Sequence, residues 1–309
     1  MDLKGGLVMN KPTGITSHDT LDKLRKILPD ISIGHTGTLD PQATGVLFVL
    51  LGPATKIASF IEGWDKEYLA KIKLGVKTDT YDLEGKILTA VEQLAVTEAG
   101  VKETVDGLVG EISQTPPLYS AIKYKGKKLY EYARAGVEVK PGKRNVSISK
   151  IEITAMNLPY IELRINCSKG TYIRSIANEV GEKLGCGAAL AALRRTRVGP
   201  YDLDQALTLK QIEEIHQDNK ISDYIISIPE ILKDVPQVLL RKDSEEKIKN
   251  GAELKKENLV SFDNFKTEEL VKVVNTRGEV VALGKFLVSS QELDQTYGEK
   301  IFRYLRVVS

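Results

Sequence analysis

Two rhythms of hydrophobic and polar positions run along this chain. Tyr68, Ala70, Ile72 and Leu74 recur at every second position and so share one face of a β-strand. Residues 145–153 and 159–167 alternate in the same way. A helical stripe joins Leu21, Leu24, Ile27 and Leu28, with Ser17 as its expected cap and Pro29 as its stop. A second helix takes Thr97 as cap and turns Val101, Val105 and Leu108 inward. A third follows the turn Gly170-Thr171, carries Ile173, Ile176, Ala177, Val180 and Leu184 on one stripe, and ends at Gly185. The apolar run 46–51 is expected as a buried strand and a helix is expected near 55–62. Residues 82–85 form a turn from which 86–88 pair back, and 114–117 are extended because of their two prolines. Residues 190–197 are a short apolar-then-basic segment.

After Pro229 the texture changes. Short β-like pieces at 270–274, 280–283 and 302–308 predict a small, separate β-rich domain. Strands and helices do not alternate as in a doubly wound parallel sheet. The expected fold class is α+β, with a mixed, largely antiparallel sheet flanked by helices over residues 1–232 and a small β-barrel domain over 233–309.

Composition adds bounds. At 309 residues the chain exceeds a typical single domain, and 42% hydrophobic with 28% charged residues is ordinary for a soluble globular protein. No apolar run approaches the ~20 residues of a membrane span. The N-terminus has no basic segment followed by an apolar stretch, so a cytoplasmic protein is expected. Cys167 and Cys186 give neither a disulfide framework nor zinc spacing. Net charge is only +2, but between Lys123 and Arg144 eight bases stand against two acids, with Tyr124, Tyr130 and Tyr132 among them. Arg194, Arg195 and Arg197 form a second cluster. A basic, aromatic-laced stretch in a nearly neutral protein is either a solvated face or a grip on a phosphate backbone.

The richest chemistry lies in Gly34-His35-Thr36-Gly37-Thr38-Leu39-Asp40-Pro41-Gln42-Ala43-Thr44-Gly45. Glycines and a proline surround one carboxylate, and the loop runs into a buried strand. That is how a fold presents one side chain in a fixed pose. The loop lacks the Gly-Lys-Ser/Thr ending of a phosphate-binding loop, and Gly-x-Ser-x-Gly is absent from the chain. Asp79, Asp82 and Glu84 suggest a turn rather than a metal site. A carboxylate acting without metal or histidine suits chemistry at a sugar carbon. Arg174, at a strand-to-helix corner, is the candidate partner that would lower the Asp40 pKa and aim it. Tyr68 is either a core tyrosine or a ring that stacks on a base.

These motifs resemble the TruB family of bacterial tRNA pseudouridine-55 synthases. The resemblance is carried by 34–41, by Lys66-Glu67-Tyr68 with Leu74-Gly75, and by Gly170-Thr171-Tyr172-Ile173-Arg174. Lys11-Pro12-x-Gly14-x-Thr16-Ser17, Thr78-Asp79-Thr80-x-Asp82-x-x-Gly85, Pro116-Pro117-x-Tyr119-Ser120-Ala121 and Leu193-Arg194-Arg195 also fit, as do Gly126, Tyr130 and Ala133-Arg134-x-Gly136. The likeness runs from about residue 5 to about 200. Gln42 and Phe48 depart from it, standing where the family more often has an apolar residue and a proline. The C-terminal part matches in outline, as a PUA-like RNA-binding domain.

The resemblance implies a pseudouridine-synthase fold and the isomerisation of a T-loop uridine in tRNA, with no cofactor and no metal. By resemblance Asp40 is the nucleophile, attacking sugar or base or assisting elimination. Tyr68 stacks on the flipped uracil, and Arg174 pairs with Asp40. Tyr172 and Leu193 line the base pocket. His35 enters the space the base leaves or else bonds within its loop, and Lys11 holds the N-terminal strands around the site. The stretch 123–144 becomes an RNA-gripping insertion, with Lys123, Lys125, Lys127, Lys128, Arg134, Arg144, Arg194 and Arg195 toward the backbone. The expected partner is the T arm of tRNA, bound by a monomer with no membrane and no required protein partner. A guide-RNA-dependent relative and a tRNA-folding protein with incidental activity are the rival readings.

Overall fold

The computed structural model describes residues 3–296 and 300–308; residues 297–299 and 309 of the expected C-terminal domain lie outside them. The chain opens with β1 (Gly5–Lys11), α1 (Ser17–Ile27), β2 (Ile33–His35) and β3 (Thr44–Leu51). The expected cap of α1 is off by one. Thr16, with extended backbone, accepts from the Asp19 amide, while the Asp19 carboxylate accepts from Thr16 in return. Ser17 starts the helix, and its hydroxyl instead accepts from the Leu39 amide at 2.9 Å, inside the Asp40 loop. The helix expected near 55–62 is a 3-10 turn, Gly52–Ile57, followed by the short α2 (Ala58–Ile61).

Next come β4 (Lys66–Leu74), the hairpin β5 (Val76–Thr78) and β6 (Ile87–Ala90), α3 (Glu98–Asp106) and β7 (Gly110–Gln114). A basic excursion holds β8 (Lys123–Tyr124), β9 (Lys127–Lys128) and α4 (Leu129–Arg134). The body closes with β10 (Arg144–Asn157), β11 (Tyr160–Cys167), α5 (Ile173–Lys183), β12 (Ala188–Val198), β13 (Tyr201–Asp202) and α6 (Leu209–Gln217). Nine strands make one sheet in the order β1-β3-β12-β4-β11-β10-β7, with β2 on β3 and β13 on β12. Within this sheet, among the described residues, only β3 and β12 pair in parallel. The segment at 190–197 is thus a strand at the sheet's centre, flanked by β3 and β4.

Every second residue of β4 is buried, as the alternation requires. Ile72 and Leu74 pack with Val101 and Val105 of α3 and Ile176 and Val180 of α5. Strand β3 is apolar throughout because it is covered on both faces. Leu47, Val49 and Leu51 face Leu21 and Leu24 of α1. Val46, Phe48 and Leu50 face a cluster that includes Val274, Val280, Leu283 and Val308. Phe48, the departure from the family pattern, stacks on Tyr201 at 4.7 Å and meets Trp64 edge-on at 5.4 Å.

The C-terminal strands are β14 (Gln237–Leu240), β15 (Leu259–Phe262), β16 (Leu270–Val274), β17 (Val280–Phe286) and β18 (Phe302–Val307). They form a five-stranded sheet, β15-β14-β16-β17-β18, around Phe265, Phe286 and Phe302. Among the described residues no helix is long and apolar enough to cross a membrane.

Candidate active site

The Asp40 loop is clamped from below before its carboxylate meets anything. Lys11 is 0% exposed, and its ammonium donates to the carbonyls of Pro12 at 2.9 Å, Pro41 at 3.1 Å and Ala43 at 2.8 Å. The Gly14 amide donates to Pro41, and the Ala43 amide turns back to Asp40. Burial lowers the Lys11 pKa to about 8, against the pull of Asp40. Lys11 therefore belongs to the scaffold under the loop, and it does not line the cavity above it.

That cavity, of about 690 Å³, is lined by Asp40, Tyr68, Arg174, Tyr172, Leu193 and His35 among others. Sequence separation is large, yet the sheet brings these groups together. Arg174 lies in the first turn of α5, where the helix dipole opposes a cation. Two carboxylates compensate. The guanidinium meets Asp40 side-on, Nε to Oδ2 at 2.9 Å and Nη2 to Oδ1 at 3.1 Å. Its Nη1 lies 3.5 Å from Asp82 Oδ2. It also donates to the carbonyls of Thr80 and Tyr119. Gln114 sets the start of α5, accepting from the Tyr172 amide at 2.8 Å and donating to the Tyr172 carbonyl at 3.1 Å.

The electrostatics correct one expectation. Asp40 titrates above the ordinary carboxylate range: burial raises it, Arg174 opposes, and Asp82 adds a like charge that raises it further. A guanidinium alone would have lowered it, but desolvation in the cleft and the second carboxylate outweigh the pairing. Burial likewise raises Tyr68 and Tyr172, with Arg195 opposing at Tyr68. Burial also lowers His35, helped by the charges of Arg195 and His18, so its imidazole is held toward the neutral form. His35 Nδ1 is buried and has no hydrogen-bond partner among the described residues. The alternative in which His35 bonds to Thr36 or Thr38 therefore has no support at that atom.

Asp82 is the functional neighbour that sequence reasoning took for a turn residue only. It does make the turn, accepting from the Thr80 hydroxyl at 2.6 Å and the Glu84 amide at 3.2 Å, while its second oxygen faces Arg174. Asp79 accepts from the Lys86 amide. Gln42 accepts from the Thr13 hydroxyl at 3.1 Å, so this departure from the family pattern joins the loop to the turn after β1.

The basic positions divide. Lys123, Lys125, Lys127 and Arg134 are exposed on the excursion, and Arg144 and Arg194 are exposed beside the cleft. Lys128 is half-buried with its ammonium 5.5 Å from the Tyr130 ring, and Arg134 lies over the same ring. Lys125 and Gly126 take φ of +46° and +88° in the two-residue turn between β8 and β9. Arg195 departs from expectation. It is 1% exposed and donates to Val46 and Gly37 carbonyls, so it cannot reach an RNA backbone.

Three family models match the chain in succession. The TruB family pseudouridylate synthase N-terminal domain covers residues 25–173, the tRNA pseudouridylate synthase B C-terminal domain covers 174–239, and the PUA domain covers 236–308. A tRNA pseudouridine synthase B of Clostridium tetani is 42% identical over 271 residues, spanning 88% of this chain and 92% of that one. One from Bacillus licheniformis is 39% identical over 285 residues, spanning 90% and 92%. Among solved structures, a Cbf5-Nop10-Gar1 complex has a chain 27% identical, with a TM-score of 0.76 over 99% of this chain and 85% of that one. With the paired Asp40 and Arg174 at the floor of its cleft and relatives this similar along nearly its whole length, the chain belongs to the TruB family of pseudouridylate synthases.

Proposed function

We propose that the protein isomerises uridine 55 in the T loop of tRNA to pseudouridine. The N1–C1′ glycosidic bond breaks, the uracil turns, and C5 bonds to the same C1′. The C5 proton leaves and N1 takes one up, so product and reactant are isomers and no external oxidant or reductant enters. Asp40 is the nucleophile or the base that assists elimination, and it acts as the carboxylate that Arg174 holds by two contacts. That hold, a hydrogen bond at 3.1 Å and an ion-pair approach at 2.9 Å on a loop pinned by a buried lysine, is the observation that carries the reading.

The remaining roles are those of the family resemblance, supported by the places of these residues on the cavity wall. Tyr68, on the cavity wall, is the ring that stacks on the uracil and helps move the C5 proton. Tyr172 and Leu193 flank the base, and the neutral His35 fills the gap the base leaves. A base in a structured loop must be extruded before it reacts, at a cost of a few kcal/mol that stacking and wedging offset. Residues 1–232 make the catalytic unit, and 233–309 with the PUA match make an RNA-binding unit. The excursion 123–144 grips phosphates of the T arm, and the enzyme works as a monomer in the cytoplasm.

The test is incubation of the purified protein with a tRNA transcript, followed by chemical mapping of pseudouridine. The expected product is one modified uridine in the T loop. A guide-RNA-dependent activity is the second reading, favoured by the likeness to the Cbf5 chain. It predicts no product without a guide, and the names of the bacterial relatives favour the first.

A further inference from the structure

Arg195 is among the largest fully buried side chains of the protein, and nothing in the reading above uses it. Burying a cation is costly unless it is paired. Yet among the described residues it has no ion-pair partner. Its guanidinium donates only to neutral oxygens: Nε to the Val46 carbonyl at 2.7 Å and Nη2 to the Gly37 carbonyl at 3.0 Å. These carbonyls lie on opposite sides of Asp40, one in the loop before it and one in β3 after it.

The sheet register places a third neighbour. Arg195 on β12 is the cross-strand partner of Tyr68 on β4 and, on the other side, of Gly45 on β3. Gly45 has a φ of +102°, and a Cβ there would stand 2.1 Å from the Arg195 carbonyl oxygen. Only glycine lets β3 close on β12 at this point. The close approach sets Arg195 between the Asp40 loop and the Tyr68 ring, and both Arg195 and Tyr68 line the cavity. Cross-strand partners on one face lie within about 5 Å at Cβ, near enough for a long side chain to bear on its neighbour.

We infer that Arg195 is a positioning residue for the isomerisation: gripping Gly37 and Val46 from its place opposite Tyr68 in the sheet, it holds the Tyr68 ring in register with the Asp40 loop. The direction of its influence agrees, since it draws the Tyr68 pKa down against burial. A lysine at this position has one nitrogen and cannot keep both carbonyls in a planar fork. The inference rests on the proposed function of the cleft. It adds that two groups from different strands are set at a fixed distance by a third.

The experiment compares the full-length wild type with Arg195→Lys, Tyr68→Phe and the double variant in single-turnover conversion of a tRNA transcript. Arg195→Lys is expected to slow the saturated rate about 10- to 100-fold, the cost of misplacing a reacting group by about 1 Å. The half-saturating tRNA concentration is expected to stay within about threefold, because the lost interaction is not one of ground-state binding. The double variant is expected to be no slower than the slower single variant, since both changes remove one coupled unit. An unchanged saturated rate overturns the inference, as does a loss confined to half-saturation. So do losses that multiply, which would assign Arg195 to the loop alone.

A second measurement needs no change at Arg195. Deleting the Tyr68 hydroxyl in Tyr68→Phe is expected to shift the ¹⁵Nε and Nη resonances of Arg195, and unmoved resonances overturn the inference even if Arg195→Lys does not fold. If the wild type itself makes no pseudouridine, the proposed function fails. If it does and these signatures are absent, only the role of Arg195 fails.

Discussion

The Asp40 loop and the basic excursion at 123–144 use the same residue types in opposite ways. Under the loop, Lys11 and Arg195 are buried and spend their donors on backbone carbonyls. On the excursion, lysines and arginines stand in solvent, and two of them are steadied by the face of Tyr130. A buried cation bonded to carbonyls fixes a backbone, because breaking it would strand a charge. An exposed cation on an aromatic face stays free to meet a phosphate. The first arrangement fixes the geometry of the chemistry. The second supplies affinity that tolerates small displacements. The two regions meet at Arg174, which holds Asp40 with one edge and donates to the Tyr119 carbonyl at the root of the excursion.

The largest effect should come from the loop. Asp40→Asn keeps the shape but removes the charge and one of the two acceptor oxygens that face Arg174, so isomerisation should fall by about a thousandfold or more, the scale of losing a principal catalytic group. Binding measured by filter retention of labelled tRNA should stay within a few fold. A comparable loss of binding would make Asp40 part of the grip and erase the contrast between the two regions.

A change of pH sharpens the same contrast. The active form needs Asp40 ionised, and its folded pKa lies above the ordinary carboxylate value. Activity should therefore fall, as pH is lowered, at a pH above that value. Asp82 contributes part of the rise as a like charge. Asp82→Asn should move this acid limb of kcat toward lower pH, whatever it does to the plateau. A limb that stays in place would mean that Asp82 only shapes its turn.

The smallest effect belongs to the excursion. Changing Lys127 and Lys128 together to Ala should weaken tRNA binding and reduce the slope of log affinity against log salt by about one unit per lost phosphate contact. The saturated rate should remain. A lowered rate with an unchanged slope would place these lysines with the clamp rather than the grip.

Much of the site was legible in sequence because it is encoded locally. The glycine- and proline-rich run around Asp40 announces a presented carboxylate, and period-two alternation places Tyr68 on the buried face of its strand. Arg174 follows from a helix start that has no electrostatic reason to carry a cation. Arg195 was not legible. It stands in the run Arg194-Arg195-Thr196-Arg197, which looks like one basic patch. In a strand neighbouring residues point to opposite faces, so Arg194 meets solvent while Arg195 enters the core. The apolar-then-basic composition of that segment hid a central strand. Lys11 was legible only through the family resemblance, because its partners lie about 30 residues away in the folded loop.

By itself, the sequence determined the elements, their apolar faces and the identity of the groups able to do chemistry, since propensity and periodicity act over a few residues. The tertiary structure decided which of two adjacent arginines is buried, that Asp82 shares Arg174 with Asp40, and that burial outweighs the guanidinium in setting the Asp40 pKa. These depend on strand register, on approach distances and on how much water a cleft admits. All three are settled only when segments far apart in the sequence pack against each other.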